Sequence, residues 1–180
     1  MTVIVYRDGV LAADRMSSTG NLSEAVATKI YMVVHQGETP WAVALCGTTK
    51  GSKAILKHLE LYGVNCGRMD KEDLPGYEPD HTYGFAINAY GTVYQVYGDG
   101  TWLHVEDPQD YYVDGAGYQF AMGACAAGAG AVLAVLLTGA QHQHCGYGAT
   151  SVNVKDYLLH RAHQTAHSQE SLDDNRQMLR

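Results

Sequence analysis

The chain has 180 residues, 46% of them hydrophobic, and a formal net charge of −7 at pH 7. This length fits one domain with a buried core, and the hydrophobic share is too high for a disordered chain. The negative charge, without any cluster of Lys and Arg, argues against nucleic acid or an anionic membrane as the partner. We expect one domain over residues 1–161 and a polar, frayed or disordered tail over residues 162–180.

Cysteine usage and the N-terminus predict the compartment. The four cysteines form no Cys-x-x-Cys pair, and the N-terminus has neither the basic region nor the long apolar run of a secretory signal. We therefore expect free thiols, a working protein that begins at Met1, and a cytoplasmic location in a bacterium or an infected bacterial host.

Strand patterns fill the first fifty residues. Apolar segments on both sides of Asp8-Gly9 predict a β-hairpin over residues 2–7 and 10–14. Residues 16–21 (MSSTGN) are interpreted as a polar turn and residues 26–34 as the next strand. Beyond a turn at 37–40, the apolar run 41–47 predicts a strand buried on both faces.

The period then changes to that of a helix. Residues 48–65 predict an amphipathic helix that ends near Gly63, with Ala54, Ile55, Leu56, Leu59 and Leu61 as its apolar positions. A polar, turn-rich segment follows over 66–81. Three antiparallel strands are predicted within 82–107 and a short one at 111–113.

Residues 115–154 contain no Asp, Glu, Lys or Arg. Two small-residue helices, over about 116–127 and 129–141, are predicted to be buried against a sheet, and a glycine-rich elbow leads to a last strand at 150–154. A membrane span is the alternative, but the strongly apolar part, 131–140, is shorter than the roughly 20 residues that a bilayer requires. This element order predicts an α+β fold of two stacked antiparallel sheets flanked by helices.

Three residues near the N-terminus suggest chemistry. Thr2 gains a free α-amine, which can serve as its own base, once Met1 is removed. Asp14 ends an apolar strand, and Lys29 is the only charged residue between Glu24 and Glu38. We expect Asp14 and Lys29 to form a buried pair beside Thr2. The Lys29 ammonium would favour the ionised form of the Thr2 hydroxyl and the neutral form of its amine. Taken singly, each residue has an ordinary structural interpretation as a strand, turn or sheet-edge residue.

These residues carry a family resemblance. Residues 1–21, followed by ATKIY at 27–31, resemble the start of proteasome β-type subunits and HslV peptidases, and the similarity continues over 44–59, 115–128 and 145–154. It covers about residues 2–154 and is greatest with short phage-encoded versions. The resemblance implies a four-layer αββα sandwich with N-terminal nucleophile hydrolase chemistry, without cofactor or metal.

The resemblance assigns roles to individual residues. Thr2 matches the nucleophile and base, Asp14 the acid, Lys29 the catalytic lysine, and Gly47 the backbone N–H of the oxyanion hole. Ser18 and Thr48 match substrate-binding positions, which would hold a peptide as an added strand. As partners, the family implies a peptide substrate, a homo-oligomer in stacked rings, and an ATPase unfoldase.

Three positions depart from the family pattern. Ala116 stands where the family has the serine of Gly-Ser-Gly, while His142 and Cys145 align with its Asp-x-x-Ser pair. These changes leave open a non-catalytic, proteasome-like assembly protein. An amidohydrolase of the same superfamily that acts on small amides is a further alternative.

Histidine clusters raise the question of a metal site. His142, His144 and Cys145 are close in sequence, and His160, His163 and His167 share one face of a helix. Neither group has zinc-finger spacing, so we interpret both as polar, solvated segments rather than metal ligands.

Overall fold

The computed structural model describes the chain over residues 2–19, 22–35, 40–63, 81–98, 101–105 and 109–157. Its strands are β1 (Val3–Arg7), β2 (Val10–Asp14), β3 (Met16–Thr19), β4 (Leu22–Val26), β5 (Ile30–Val33), β6 (Trp41–Cys46), β7 (Tyr83–Asn88), β8 (Val93–Tyr97), β9 (Trp102–His104), β10 (Tyr111–Gly115) and β11 (Ala149–Asn153). Its helices are α1 (Thr49–Tyr62), α2 (Tyr118–Ala126) and α3 (Ala131–Gln141). The predictions for residues 37–39, for most of 66–81, and for the tail and its boundary at 161/162 lie outside the described residues.

Two antiparallel sheets form the centre of the fold. The first has the order β10-β1-β2-β11, and the second has the order β5-β6-β7-β8-β9. The predicted hairpin is confirmed, because β1 pairs with β2 across a turn in which Asp8 and Gly9 have φ of 50° and 78°. Positive φ at both central residues is the geometry that an Asp-Gly hairpin turn adopts.

The predictions for residues 16–34 were partly wrong. Met16–Thr19 is a strand rather than a polar turn, and it pairs with β4 in a separate two-stranded sheet. The expected strand over 26–34 is divided between β4 and β5. Pairing explains the division, since the Ala27 N–H donates to the Arg15 carbonyl (2.8 Å) and closes the β3–β4 hairpin before the chain enters β5. Lys29 therefore precedes a strand instead of lying within one.

Burial shows the four layers. One core lies between the two sheets and contains Ile4, Leu11 and Phe85. A second lies between the five-stranded sheet and α1, and a third between the four-stranded sheet and the α2–α3 pair. All six residues of β6 are buried, as its apolar run predicted, because cores cover both of its faces.

The first helix confirms the prediction for 48–65 with one correction. The Thr48 hydroxyl caps its N-terminus by accepting from the Gly51 N–H (2.9 Å), and Gly63 ends it with a φ of 77°. Ile55 and Leu59 are fully buried, but Leu61 is half exposed. Leu61 lies two residues beyond Leu59 and hence on another side of the helix.

The two small-residue helices, predicted to be buried, are buried on one side only. Ala121, Ala134 and Val135 pack on the sheet. The other sides of both helices are apolar and exposed, a surface we call the α2–α3 apolar face; its residues are Tyr118, Phe120, Met122, Val132, Leu133, Leu136 and Leu137. In the part of the chain that the structure describes, no helix is long and apolar enough to cross a membrane.

Candidate active site

The Asp14 carboxylate is the centre of the candidate site. It is 1% exposed at the end of β2 and accepts four hydrogen bonds. Oδ1 accepts from the Val3 N–H (2.9 Å) and the Lys29 ammonium (2.8 Å), and Oδ2 accepts from the N–H groups of Met16 and Gly146 (both 3.2 Å). Four donors replace the water that burial removes, which allows an ionised carboxylate in the interior.

Lys29 supplies the opposite charge. Its side chain is 8% exposed, and its ammonium forms the buried ion pair with Asp14 that the sequence predicted. The Lys29 carbonyl accepts from the Leu45 N–H (3.3 Å), which attaches the segment before β5 to β6. The lysine is thus fixed through its backbone to one sheet and through its side chain to the other.

Thr2 is buried at the start of β1, with an exposed fraction of 5%. The next residue, Val3, donates to the same Asp14 oxygen that accepts from Lys29. The Lys29 ammonium nitrogen and the Val3 amide nitrogen can therefore be no farther apart than the sum of these two hydrogen-bond lengths. The structure brings Thr2, Asp14 and Lys29 to one place, as the sequence predicted.

Gly115 explains how closely the neighbouring strand approaches Thr2. A Cβ at Gly115 would collide with the Thr2 carbonyl, and φ is 101° there, so only glycine fits without strain. Asp114 stabilises this end of β10, because its Oδ1 accepts from the Gly115 N–H (2.7 Å).

Gly47 lies between β6 and α1 with a φ of 122°. A Cβ there would lie 2.5 Å from the Thr82 Cα, so the position requires glycine. The Thr82 hydroxyl accepts from the Thr48 N–H (3.2 Å) and holds the turn. The Leu45 N–H, two residues before Gly47, donates to the Lys29 carbonyl (3.3 Å), so this turn lies close to the Lys29 end of the site.

The two predicted substrate-binding residues, Ser18 and Thr48, lie in β3 and at the N-terminus of α1. Thr48 is exposed, and its hydroxyl caps α1. Ser18 lies in β3 at a register shift opposite β4. Contact of either residue with substrate stays a prediction.

Cys145 belongs to the site, whereas His142 lies to its side. A Cβ at Gly117 would lie 3.1 Å from the Cys145 Sγ, so the Gly115-Ala116-Gly117 turn packs on this thiol. Burial, with a smaller contribution from the negative charge of Asp14, raises the pKa of Cys145 to about 11, so the thiol is neutral at pH 7. His142 ends α3 and contacts the rings of Phe120 and His144 (centroids 6.0 and 5.8 Å away).

Sequence reasoning missed Gly146 and Asp114. The Gly146 N–H binds Asp14, and its carbonyl accepts from the Arg15 N–H (3.0 Å), so the 145–148 elbow holds the acid in place. The glycine pair around Tyr147 was the available signal. Asp114 is partly buried in β10, and burial raises its pKa; a single acid between Val113 and Gly115 has no sequence pattern that indicates this position.

Comparison with solved structures identifies the fold. HslV from Trypanosoma brucei matches with a TM-score of 0.61 and 14% identity, over 84% of this chain and 98% of that one. BPH from Thiobacillus denitrificans, solved in complex with epoxomicin, matches with a TM-score of 0.59 and 20% identity, over 84% of this chain and 96% of that one. A mutant of Anbu from Hyphomicrobium sp. strain MC1 gives 0.61 and 12% identity, over 96% of each. The chain has the proteasome/HslV-type fold.

This fold confirms the predicted four-layer αββα sandwich of two antiparallel sheets flanked by helices. No protein-family model and no curated protein matches the sequence. At these identities the likeness is one of fold, so the chemistry depends on the residues described above.

The structure offers no evidence for a metal centre in the ranges it describes. No cluster of three or more His, Cys, Asp or Glu side chains suited to a metal ion occurs there. His160, His163 and His167 lie outside those ranges.

Proposed function

We propose that the protein is a threonine-type peptidase whose nucleophile is Thr2 after removal of Met1. The observation that carries the proposal is the shared Asp14 oxygen, which accepts from both the Val3 amide and the Lys29 ammonium. One buried carboxylate thus holds the residue beside the nucleophile and the cation that favours its ionised hydroxyl.

The reaction follows from these positions. The free amine of Thr2 takes the hydroxyl proton, and Oγ1 attacks the peptide carbonyl, whose oxygen becomes negative beside the Gly47 N–H. The C–N bond breaks, the leaving amine takes a proton, and an ester to Thr2 forms. Water, deprotonated by the same amine, then attacks the ester; the acid product leaves, and the hydroxyl regains its proton. In this scheme Asp14 and Lys29 are positioning and electrostatic residues.

Substrate binding and the altered positions are part of the same proposal. A peptide would lie in extended form, with Ser18 and Thr48 on either side of the nucleophile as the family resemblance implies. The Cys145 thiol takes the place of a serine hydroxyl, and Ala116 lacks one. We expect Ala116→Ser to leave folding unchanged and to raise the rate of hydrolysis, because a hydroxyl beside the Thr2 amine would orient it.

The proposal is tested with a panel of fluorogenic peptides and four forms of the full chain, the parent and three variants. We expect hydrolysis by the parent, a reduced rate for Thr2→Ser, and none for Thr2→Ala. Thr49→Ala is the matched control, because Thr49 is an exposed threonine in the first turn of α1. Equal rates for Thr2→Ala and Thr49→Ala would refute the assignment.

We also propose that the protein assembles with copies of itself through the α2–α3 apolar face. Val132, Leu133, Leu136 and Leu137 lie in one helix and are between 37% and 51% exposed. Exposed apolar surface of this extent is typical of an interaction site. The family resemblance suggests stacked rings, an ATPase unfoldase as partner, and a cytoplasmic particle in a bacterium or an infected host. Leu133→Glu with Leu137→Glu should give a smaller particle by analytical ultracentrifugation, whereas an unchanged mass would contradict this interface.

The second candidate function is a non-catalytic assembly protein with the same fold. Ala116, at the turn beside Thr2, is the observation in its favour, since the side chain has no hydroxyl to offer the amine. Such a protein would assemble normally and show no hydrolysis by the parent chain. A hydrolase of small amides would instead cleave single-residue amides while remaining a monomer or dimer.

A further inference from the structure

A cavity lies at the opposite end of β1 from Thr2. It has a volume of about 430 Å³ and is lined by Tyr6, Gly9, Asn88, Ala89, Tyr90, Gly91 and Lys155. This volume is in the range of pockets that bind small molecules. Tyr6 is four residues along β1 from Thr2, so about 13 Å of strand separates the cavity from the candidate active site.

The walls of this far-end cavity are mainly apolar and aromatic. The Tyr6 ring stacks with Tyr112 inside the sandwich (centroids 6.1 Å apart), which fixes its orientation. Tyr90, in the β7–β8 turn, also lines the cavity and is 77% exposed. A flat ring could insert between these two side chains and cover apolar surface that now faces water.

The polar groups at the cavity are donors. The Tyr6 hydroxyl is 4.0 Å from the Gly91 Cβ position and lies at the cavity. Burial raises the pKa of Tyr6, so its hydroxyl is a neutral donor at pH 7. The Asn88 Oδ1 already accepts from the Tyr90 and Thr92 N–H groups (3.0 and 2.9 Å), which leaves its NH₂ as the donor. Lys155 adds a positive charge at the rim.

We propose that this cavity binds a small planar carboxylate, with its ring between Tyr6 and Tyr90 and its carboxylate on Lys155 and the Tyr6 hydroxyl. An anion suits a site that has three donors, one of which is the Lys155 cation. A planar apolar body suits its two aromatic walls. This binding site is separate from the proposed peptidase chemistry and does not depend on it.

The test measures binding of benzoate to the full chain by isothermal titration calorimetry at constant ionic strength. We expect saturable binding of one benzoate per chain and no saturation with benzamide, its neutral analogue. Lys155→Gln should weaken binding about tenfold and Tyr6→Phe about fivefold, the losses for one charged and one neutral hydrogen bond.

The controls separate this site from nonspecific effects and from the active site. Lys50→Gln removes an exposed lysine from α1 and should bind benzoate like the parent. Thr2→Ala should also bind normally, whether or not the peptidase proposal holds. Lack of saturation by benzoate, equal binding of benzamide, or equal losses in Lys155→Gln and Lys50→Gln would overturn the proposal.

Discussion

Replacement of Asp14 by asparagine tests whether the buried ion pair organises the site. Asparagine has the same shape, but it loses the charge that balances the Lys29 ammonium, which is 8% exposed. Each carboxylate oxygen accepts from two donors, so in either orientation the new NH₂ group faces two other donors. Removal of one partner of a buried pair typically costs about 3–5 kcal/mol.

The assay is urea unfolding followed by circular dichroism and tyrosine fluorescence. With a slope of about 2 kcal/mol per molar urea, Asp14→Asn should lower the midpoint by about 2 M. Lys29→Met should show a similar loss. The double variant should lose less than the sum of the two, because it leaves no uncompensated charge in the interior.

Asp110→Asn provides the control, because Asp110 is exposed at the start of the β10 segment. Its midpoint should stay close to that of the parent. An Asp14→Asn midpoint that matches this control, or full additivity in the double variant, would refute the buried pair as the organising contact.

Three further predictions concern other parts of the fold. Gly47→Ala should lower the peptidase rate about 100-fold, since its Cβ would lie 2.5 Å from the Thr82 Cα and displace the oxyanion N–H; a parental rate with fluorogenic peptide would contradict this. Arg7→Ala should reduce the free energy of unfolding by about 2–3 kcal/mol, because the guanidinium donates to the carbonyls of Cys125 in α2 (2.6 Å) and Ala129 between α2 and α3 (2.9 Å). Arg7→Lys should recover part of this loss in urea unfolding. Burial raises the pKa of Asp114, so the native state holds this proton more tightly and the free energy of unfolding falls as the pH rises from the ordinary carboxyl pKa to the raised one. Asp114→Asn should therefore compare more favourably with the parent at pH 7 than at pH 4, and equal differences at both would count against the burial effect.

Much of the fold could be predicted because its signals are local. The Asp8-Gly9 turn, the uniformly apolar β6 and the periodicity of α1 each specify an element without reference to the rest of the chain. The strand at Met16–Thr19 could not be recognised, since serine and threonine also favour turns and only pairing with β4 decides between the two.

The candidate site was predicted in part for the same reason. Thr2 and Asp14 lie at the same end of the β1–β2 hairpin, and Lys29 reaches Asp14 from the segment before β5, in the other sheet. Gly146 is 132 residues from Asp14, and its contact is a backbone N–H that any residue type could provide. The exposed side of α2 and α3 was missed because its large apolar residues fit a buried helix and an interface equally well.

The measurement that tests the central claim most directly is the intact mass of the purified protein before and after incubation with epoxomicin. BPH, which shares the fold, has been solved in complex with that compound. The account predicts loss of Met1 and one epoxomicin adduct that maps to Thr2 and is absent from Thr2→Ala. Retained Met1 with no adduct would contradict the peptidase assignment and favour a non-catalytic assembly protein.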